Sequence, residues 1–243
     1  MAEEQVHAIT AANDDASIGA IVMTGAGRGY CAGADMEATF QTRISGTDPG
    51  NDTAGGVGGM PAGLDWVALL RTSKPIVCAI NGAAVGIGVT MCLPGDQIIA
   101  STNAKFGMGF IKMGLVPELA STRLLAARVG FGRASDLFLS GRIILAAEAH
   151  EIGLADQLAA PDELLPRAIA IANSYADNAD LQLRMTKQLL TENMVDTDLR
   201  AIQQREQAML AECWKSPEHK EAVAAFMEKR PPVFRPTSTL PVA

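Results

Sequence analysis

Two stretches of this chain each run an apolar, strand-forming segment straight into a cluster of small residues. The first is AIVMTGAGRGYCAGADM, residues 20–36, and the second is KPIVCAINGAAVGIG, residues 74–88. Glycine loses more conformational freedom on ordering than any other residue. Such clusters therefore mark places where the backbone must turn sharply or be approached closely. The apolar runs themselves read as buried strands. Together they confine the chain to α/β folds in which strands feed tight, exposed backbone turns.

Two kinds of chemistry use turns of this kind. One is a phosphate cradle, because Gly27-Arg28-Gly29-Tyr30-Cys31-Ala32 fits G-x-G-x-x-G/A. That reading requires an acidic residue after a second strand, about twenty residues on. Here Asp48 and Asp52 lie in a Gly-rich segment and follow no strand. The other is an oxyanion hole made of backbone N–H groups. It requires a second glycine-rich turn, which NGAAVGIG at 81–88 supplies. Two strand-to-helix turns can converge on one oxygen, with the positive ends of the helices adding to the field. The plainer alternative is that the glycines only permit close helix–strand packing. Two such turns at this spacing favour the oxyanion reading.

The remainder of the chain reads as strands alternating with helices, followed by helices alone. Residues 4–13 look helical, 18–24 form a strand and MEATF a short helix. Residues 42–62, rich in Gly, Asp and Thr, read as a long loop, and such loops are often functional. A helix follows at 64–73, a strand at 74–81, a short helix at 86–93 ended by Pro94, and a strand at 96–101. Beyond residue 117 the pattern is mostly helical, with EAHEIGLADQL carrying a helix into a short strand. This divides the chain into an α/β core over 1–160 and a helical region with a proline-rich tail over 161–243.

Composition removes several function classes. The chain has 243 residues, 48% hydrophobic and 19% charged, enough to bury a core. A net charge of −7 argues against nucleic acid as a partner. Cys31, Cys78, Cys92 and Cys213 show no C-x-x-C spacing, and His7, His150 and His219 are dispersed, so no metal site is expected. The segment 76–93 approaches the length of a membrane span, but Asn81, three glycines and Pro94 spoil it. The acidic start MAEEQVHAITAANDD lacks the apolar core of a signal peptide. A cytoplasmic protein, with no membrane partner, is the expectation.

IVMTGAGRGYCAGADM, KPIVCAINGAAVGIG, FGMGFIKMGLVPE, EAHEIGLAD and AAFMEKRPPVF occur in that order, and the set resembles the crotonase, or enoyl-CoA hydratase/isomerase, superfamily. The resemblance implies a spiral of ββα turns with a helical C-terminal extension. It implies acyl-CoA thioester substrates, coenzyme A being part of the substrate rather than a separate cofactor, and trimers that usually pair into hexamers. It places the oxyanion N–H groups at Ala34 and Ile87. Backbone donors do not depend on side-chain identity, so Ile87 can donate where glycine is commoner; its side chain would narrow the acyl pocket. Family members usually open with a β-hairpin, whereas this sequence starts in the helix that follows it.

Hydratases of the family hold a water with two glutamates. Both matching positions are non-acidic here, Thr90 and Phe110. The nearest remaining carboxylate is Glu118, whose position resembles that of the single base in some enoyl-CoA isomerases of the family. One base suffices to carry a proton from Cα to Cγ. The alternative for Glu118 is a plain helix start after Pro117, where an acidic residue suits the dipole. Double-bond isomerisation is thus placed ahead of hydration. Its rivals are thioester hydrolysis, C–C cleavage, or a non-catalytic acyl-CoA-binding subunit. Asp35 reads as a brace of the oxyanion turn rather than as a base. Candidate substrate-binding positions are Arg28, which either faces the CoA phosphates or is simply solvated, Ala32, Met36, Gly86, Pro117, Phe226, and Lys229, which either suits the dipole at the end of the last helix or, as the resemblance implies, reaches the CoA of a neighbouring subunit. Arg230 is a further candidate for CoA, and Trp214 and Phe226 either line the acyl pocket or anchor their helices, with anchoring favoured. Met60, Met108 and Met113 offer a pliable apolar surface or ordinary core filling.

Overall fold

The structure, a computed structural model, describes residues 2–35, 44–46 and 63–235. A helix α1 (Ala2–Asp14) leads into strand β1 (Ile21–Thr24). Helix α2 (Trp66–Thr72) precedes strand β2 (Ile76–Ile80), and a two-residue turn leads to β3 (Ala83–Val85) and the single helical turn α3 (Ile87–Thr90). Strands β4 (Gln97–Ser101) and β5 (Lys105–Gly107) are followed by a 3-10 turn over Gly109–Met113. Then come α4 (Ser121–Val129), α5 (Phe131–Ser140), β6 (Ile143–Leu145), α6 (Ala146–Glu151) and β7 (Gln157–Ala159). Four helices close the described chain: α7 (Leu164–Ala176), α8 (Asp180–Asn193), α9 (Leu199–Lys215) and α10 (Pro217–Glu228).

The strands form two sheets. The larger is parallel throughout, in the order β1-β2-β4-β7. The smaller has the order β3-β5-β6, with β3 and β5 parallel and β6 antiparallel to β5. β2 explains why its sequence is apolar without a break: all five of its residues are buried, as a central strand covered on both faces must be. Alternate residues serve different layers. Ile76, Cys78 and Ile80 join the main core with Trp66, Leu70, Ile98 and Leu125. Val77 and Ala79 face a second cluster with Leu164, Ala168 and Ala172 of α7. Those three sit four residues apart, so they form one stripe along the helix, and the alanines let α7 lie close on the sheet.

Strands β1, β2 and β4 and the helices from α4 onward follow the sequence reading. Three strands depart from it. β3 lies inside the stretch read as a turn, β5 follows β4 after a short turn, and β6 lies between α5 and α6; each is three residues long, too short to show a period. Helix α3 is shorter than the 86–93 expected and spans only Ile87–Thr90, so a macrodipole has little length over which to build. The helix expected over MEATF and nearly all of the loop expected over 42–62 lie outside the described residues. No helix among the described residues is long and apolar enough to cross a membrane.

Candidate active site

The two glycine-rich turns pack backbone to backbone. The Tyr30 and Cys31 N–H groups both donate to Ala83 C=O at 3.0 Å, and Val85 N–H donates to Cys31 C=O at 2.9 Å. Cys31 thus bridges Ala84 in parallel register, and the first turn runs along β3 like a short extra strand. A Cβ at Gly82 would overlap the Arg28 carbonyl, and one at Gly88 the Cys31 carbonyl. Asn81 ties the turns together: its Nδ2 donates to Gly27 C=O (2.9 Å) and Gly29 C=O (3.2 Å), while its Oδ1 accepts from Gly25 N–H (3.1 Å). Gly82 and Gly88, like Gly25 against the Gly29 carbonyl, are therefore required by close approach. That overturns the phosphate-cradle reading, in which Gly27–Ala32 should open a helix; the segment is consumed by pairing with β3 instead. Asp48 and Asp52 lie outside the described residues.

Gly86 turns the chain out of β3 with φ +56° and ψ −121°, a conformation open to glycine and strained for other residues. Its carbonyl accepts from Val89 N–H and Thr90 N–H. The Ile87 N–H stands ahead of these bonds, at the position where a helix leaves its donors unused. Gly33, with φ +111°, sets the entry to Ala34, and a Cβ there would lie 3.4 Å from Val85 C=O. Ala34 and Ile87 therefore follow two turns held against the same strand. The Ile87 side chain is buried with the main core. Phe110, also buried, points the tip of its ring at Gly86, 4.0 Å from where a Cβ would be.

Glu118 does not start a helix. Helix α4 begins at Ser121 with Ala120 as its cap residue, and no side chain caps it. The Glu118 carboxylate turns the other way and accepts a hydrogen bond from Thr90 Oγ1 at 2.8 Å. Burial raises the Glu118 pKa, and the Thr90 hydroxyl opposes that rise, since a donor favours the ionised form while desolvation disfavours it. Directly after it, Leu119 (φ +56°) and Ala120 (φ +53°) occupy the left-handed region, which costs a non-glycine residue about 1–3 kcal/mol each. A strained turn thus carries the carboxylate to α3, and Ile87 and Thr90 are the first and last residues of that single turn. They are about 4.5 Å apart along its axis.

Gly86, Ile87, Thr90, Phe110 and Glu118 converge; Pro117 is half-buried beside Glu118, and Met108 is buried in the core. Arg28, Ala32 and Asp35 are exposed at the outer side of the first turn. Met36 and Met60 lie outside the described residues, and Met113 is half-exposed. Phe226 and Lys229 sit at the end of α10, which packs chiefly on α9. Arg230 is held by Glu221 at 2.6 Å and by Glu228 at 2.6 Å. Trp214 and Phe226, expected to anchor their helices, are 60% and 81% exposed. Asn81 and the Thr90–Glu118 bond escaped the sequence reading. An Asn-Gly pair after a strand was the one signal for the former; the latter joins residues 28 apart and left none.

The model of the enoyl-CoA hydratase/isomerase family matches residues 1–237. The chain belongs to that family. It is 36% identical to the 1,2-epoxyphenylacetyl-CoA isomerase of Escherichia coli over 227 residues, 90% of this chain and 82% of that protein. It is 32% identical to the short-chain-enoyl-CoA hydratase of Clostridium acetobutylicum, covering 94% of this chain and 84% of that one. The fold superimposes on the crystal structure of an enoyl-CoA hydratase from Polaromonas sp. JS666 with a TM-score of 0.86 at 28% identity, over 97% of this chain and 89% of that one. Family membership confirms the crotonase-type α/β fold read from the motifs. It does not choose between isomerase and hydratase, since relatives of both kinds occur at similar identity.

Proposed function

We propose that this protein is an acyl-CoA enzyme that moves a double bond in an enoyl-CoA thioester, with Glu118 as its single base. One observation carries the reading: the half-buried Glu118 carboxylate is aimed at the oxyanion turn through Thr90, while a phenyl ring, Phe110, fills the position of a hydratase glutamate. With Glu118 as the carboxylate that the described residues bring to the site, and with an apolar wall, the site suits proton transfer within a substrate better than activation of a water. The Ala34 and Ile87 N–H groups would receive the thioester oxygen. Glu118 takes a proton from Cα of a 3-enoyl thioester. The C–H electron pair spreads into the dienolate, whose oxygen the two donors stabilise. Glu118 then returns the proton to Cγ, leaving a 2-enoyl thioester and the carboxylate restored. An oxyanion donor of this kind is worth about 2.7–4 kcal/mol in the transition state. No cofactor beyond the substrate's own coenzyme A enters these steps. A trimer or hexamer in the cytoplasm completes the proposal.

The test is turnover of a 3-enoyl-CoA and hydration of the matching 2-enoyl-CoA by wild type and Glu118→Gln. Gln keeps the size and the acceptor for Thr90 but cannot take the proton. Isomerisation should exceed hydration, and Glu118→Gln should lower it about 10²–10⁴-fold. A folded Glu118→Gln protein with full isomerase activity would overturn the mechanism. Wild type that hydrates but does not isomerise would return the chain to the hydratases.

A further inference from the structure

We propose that Thr90 is the positioning residue of the proton-transferring carboxylate: its hydroxyl occupies Glu118 Oε1 and so reserves Oε2 for the substrate proton. This rests on the reading of Glu118 as the base. A threonine within a helical turn ordinarily turns its hydroxyl back onto a carbonyl three or four residues earlier. Here that carbonyl, Ile87 C=O, lies at 3.5 Å, whereas Glu118 Oε1 lies at 2.8 Å. The hydroxyl has one hydrogen, and the shorter contact to a charged acceptor takes it. Thr90 is wholly buried, so water does not compete for its hydroxyl. No hydrogen bond among the described residues reaches Oε2.

The geometry bears on a reaction that uses the same carboxylate twice. The base must accept a proton at one carbon and release it at another two bonds away. If the proton settled on Oε1 it would face the protein. A donor already on Oε1 disfavours protonation there, so the proton taken from Cα resides on Oε2 and leaves from Oε2 to Cγ. Thr90 also fixes the carboxylate against the turn that presents Ile87 N–H, so base and oxyanion donor share one rigid element. Charged neighbours do not offer another explanation. α3 carries no ionisable side chain. On α4, Arg123 donates to Met194 C=O, and Lys112 of the 3-10 turn lies along Gly141. Among the described residues, burial and the Thr90 hydroxyl are the causes of the Glu118 shift.

The experiment compares Thr90→Val, Thr90→Ser and Glu118→Gln with wild type. Kinetics on a 3-enoyl-CoA are followed across pH, with thermal melts and a ¹³C NMR titration of the Glu118 carboxyl, assigned by its absence in Glu118→Gln. Valine has the shape of threonine without the hydroxyl. Thr90→Val should lower kcat about ten- to a hundredfold, as loss of reactive geometry does, with KM little changed. The removed hydrogen bond favoured the carboxylate, so the Glu118 pKa should rise and the acid limb of the kcat/KM profile should move to higher pH. Thr90→Ser should restore both. A merely structural Thr90 would lower the melting point and leave the limb and the NMR pKa in place; that result overturns the proposal. Should Thr90→Val not fold, Thr90→Ala answers the same question. Full activity in Glu118→Gln would instead remove the base reading, a separate failure. If wild type turns over no enoyl-CoA, the titration still decides, and an unmoved Glu118 pKa refutes the positioning role.

Discussion

At the scale of single residues, the position of Glu118 can be tested without substrate. A raised carboxyl pKa means that the folded state favours the neutral acid more than the unfolded chain does. The stability this contributes is fully present below the ordinary value of 4.5 and is lost as pH rises through the folded pKa. Ionised Glu118 at neutral pH is therefore a cost to the fold. Glu118→Gln should be more stable than wild type near pH 7, and the difference should shrink as pH falls toward about 4.5. Urea unfolding at fixed protein concentration across this range measures it. A helix-starting glutamate predicts the reverse, a loss of roughly 0.3–1 kcal/mol at neutral pH on substitution. Such a loss would place Glu118 back among ordinary capping residues. The sequence could supply the candidate because Glu118 stood near two vacated glutamate positions. It could not supply the partner. Thr90 and Glu118 meet only through the fold, and nothing local to GVTMC or LVPEL encodes their bond. Nor did Leu119 and Ala120, common in helices, announce a left-handed turn.

At the scale of elements, legibility followed length. β2 was plain because five consecutive buried residues leave an unbroken apolar run, and β4 because four of its five residues are buried around the apolar Ile98-Ile99-Ala100. β3, β5 and β6 owe their existence to partners far along the chain, and three residues carry no period of their own. The two glycine-rich turns do pack against each other, yet what holds them together, Asn81 and the Cys31–Ala84 bridge, is tertiary. So is the attachment of α8 to the core. Lys187, 5% exposed, donates from Nζ to Asp96 Oδ2 at 2.7 Å and to Lys74 C=O at 3.2 Å. Asp96 also accepts from Arg71 at 3.0 Å and from Ile76 N–H at 2.8 Å. This network pins α8 to α2 and to the edge of β2. Burial lowers the Lys187 pKa, and the Asp96 carboxylate opposes that shift. Removing one member of a buried ion pair typically costs about 3–5 kcal/mol. Arg71 would still compensate Asp96, so Lys187→Met, which keeps the aliphatic stem, should cost near the lower figure. A urea midpoint within error of wild type would show the ammonium to be dispensable and leave packing alone to hold α8.

At the scale of the whole molecule, the described surface is more apolar than a solitary chain ordinarily tolerates. Phe131, Leu139, Ile143 and Val116 are 82%, 75%, 61% and 81% exposed around the smaller sheet and α5. Trp214, Phe226 and Met227 on α9 and α10 are 60%, 81% and 75% exposed. Between α4, the 93–96 segment, α8 and α9 lies an open groove of about 1110 Å³, lined by Leu93, Leu124, Leu183, Leu190, Met194 and Ile202 among others. Where exposed apolar side chains form a contiguous patch they mark an interface, and stable interfaces bury roughly 800 Å² or more on each partner. Large aromatic side chains commonly supply the anchors. We propose that the C-terminal helices form an assembly surface rather than an annex to one core. We expect light scattering to give a trimer or a hexamer at micromolar concentration. Substituting Trp214 and Phe226 together by Glu should lower the mass toward the monomer, because buried unpaired charge is costly, while circular dichroism of the dissociated chain should retain its helical signal. A wild-type monomer at these concentrations would refute assembly. A double variant that stays fully assembled would move the interface away from α9 and α10, to the exposed face around the smaller sheet.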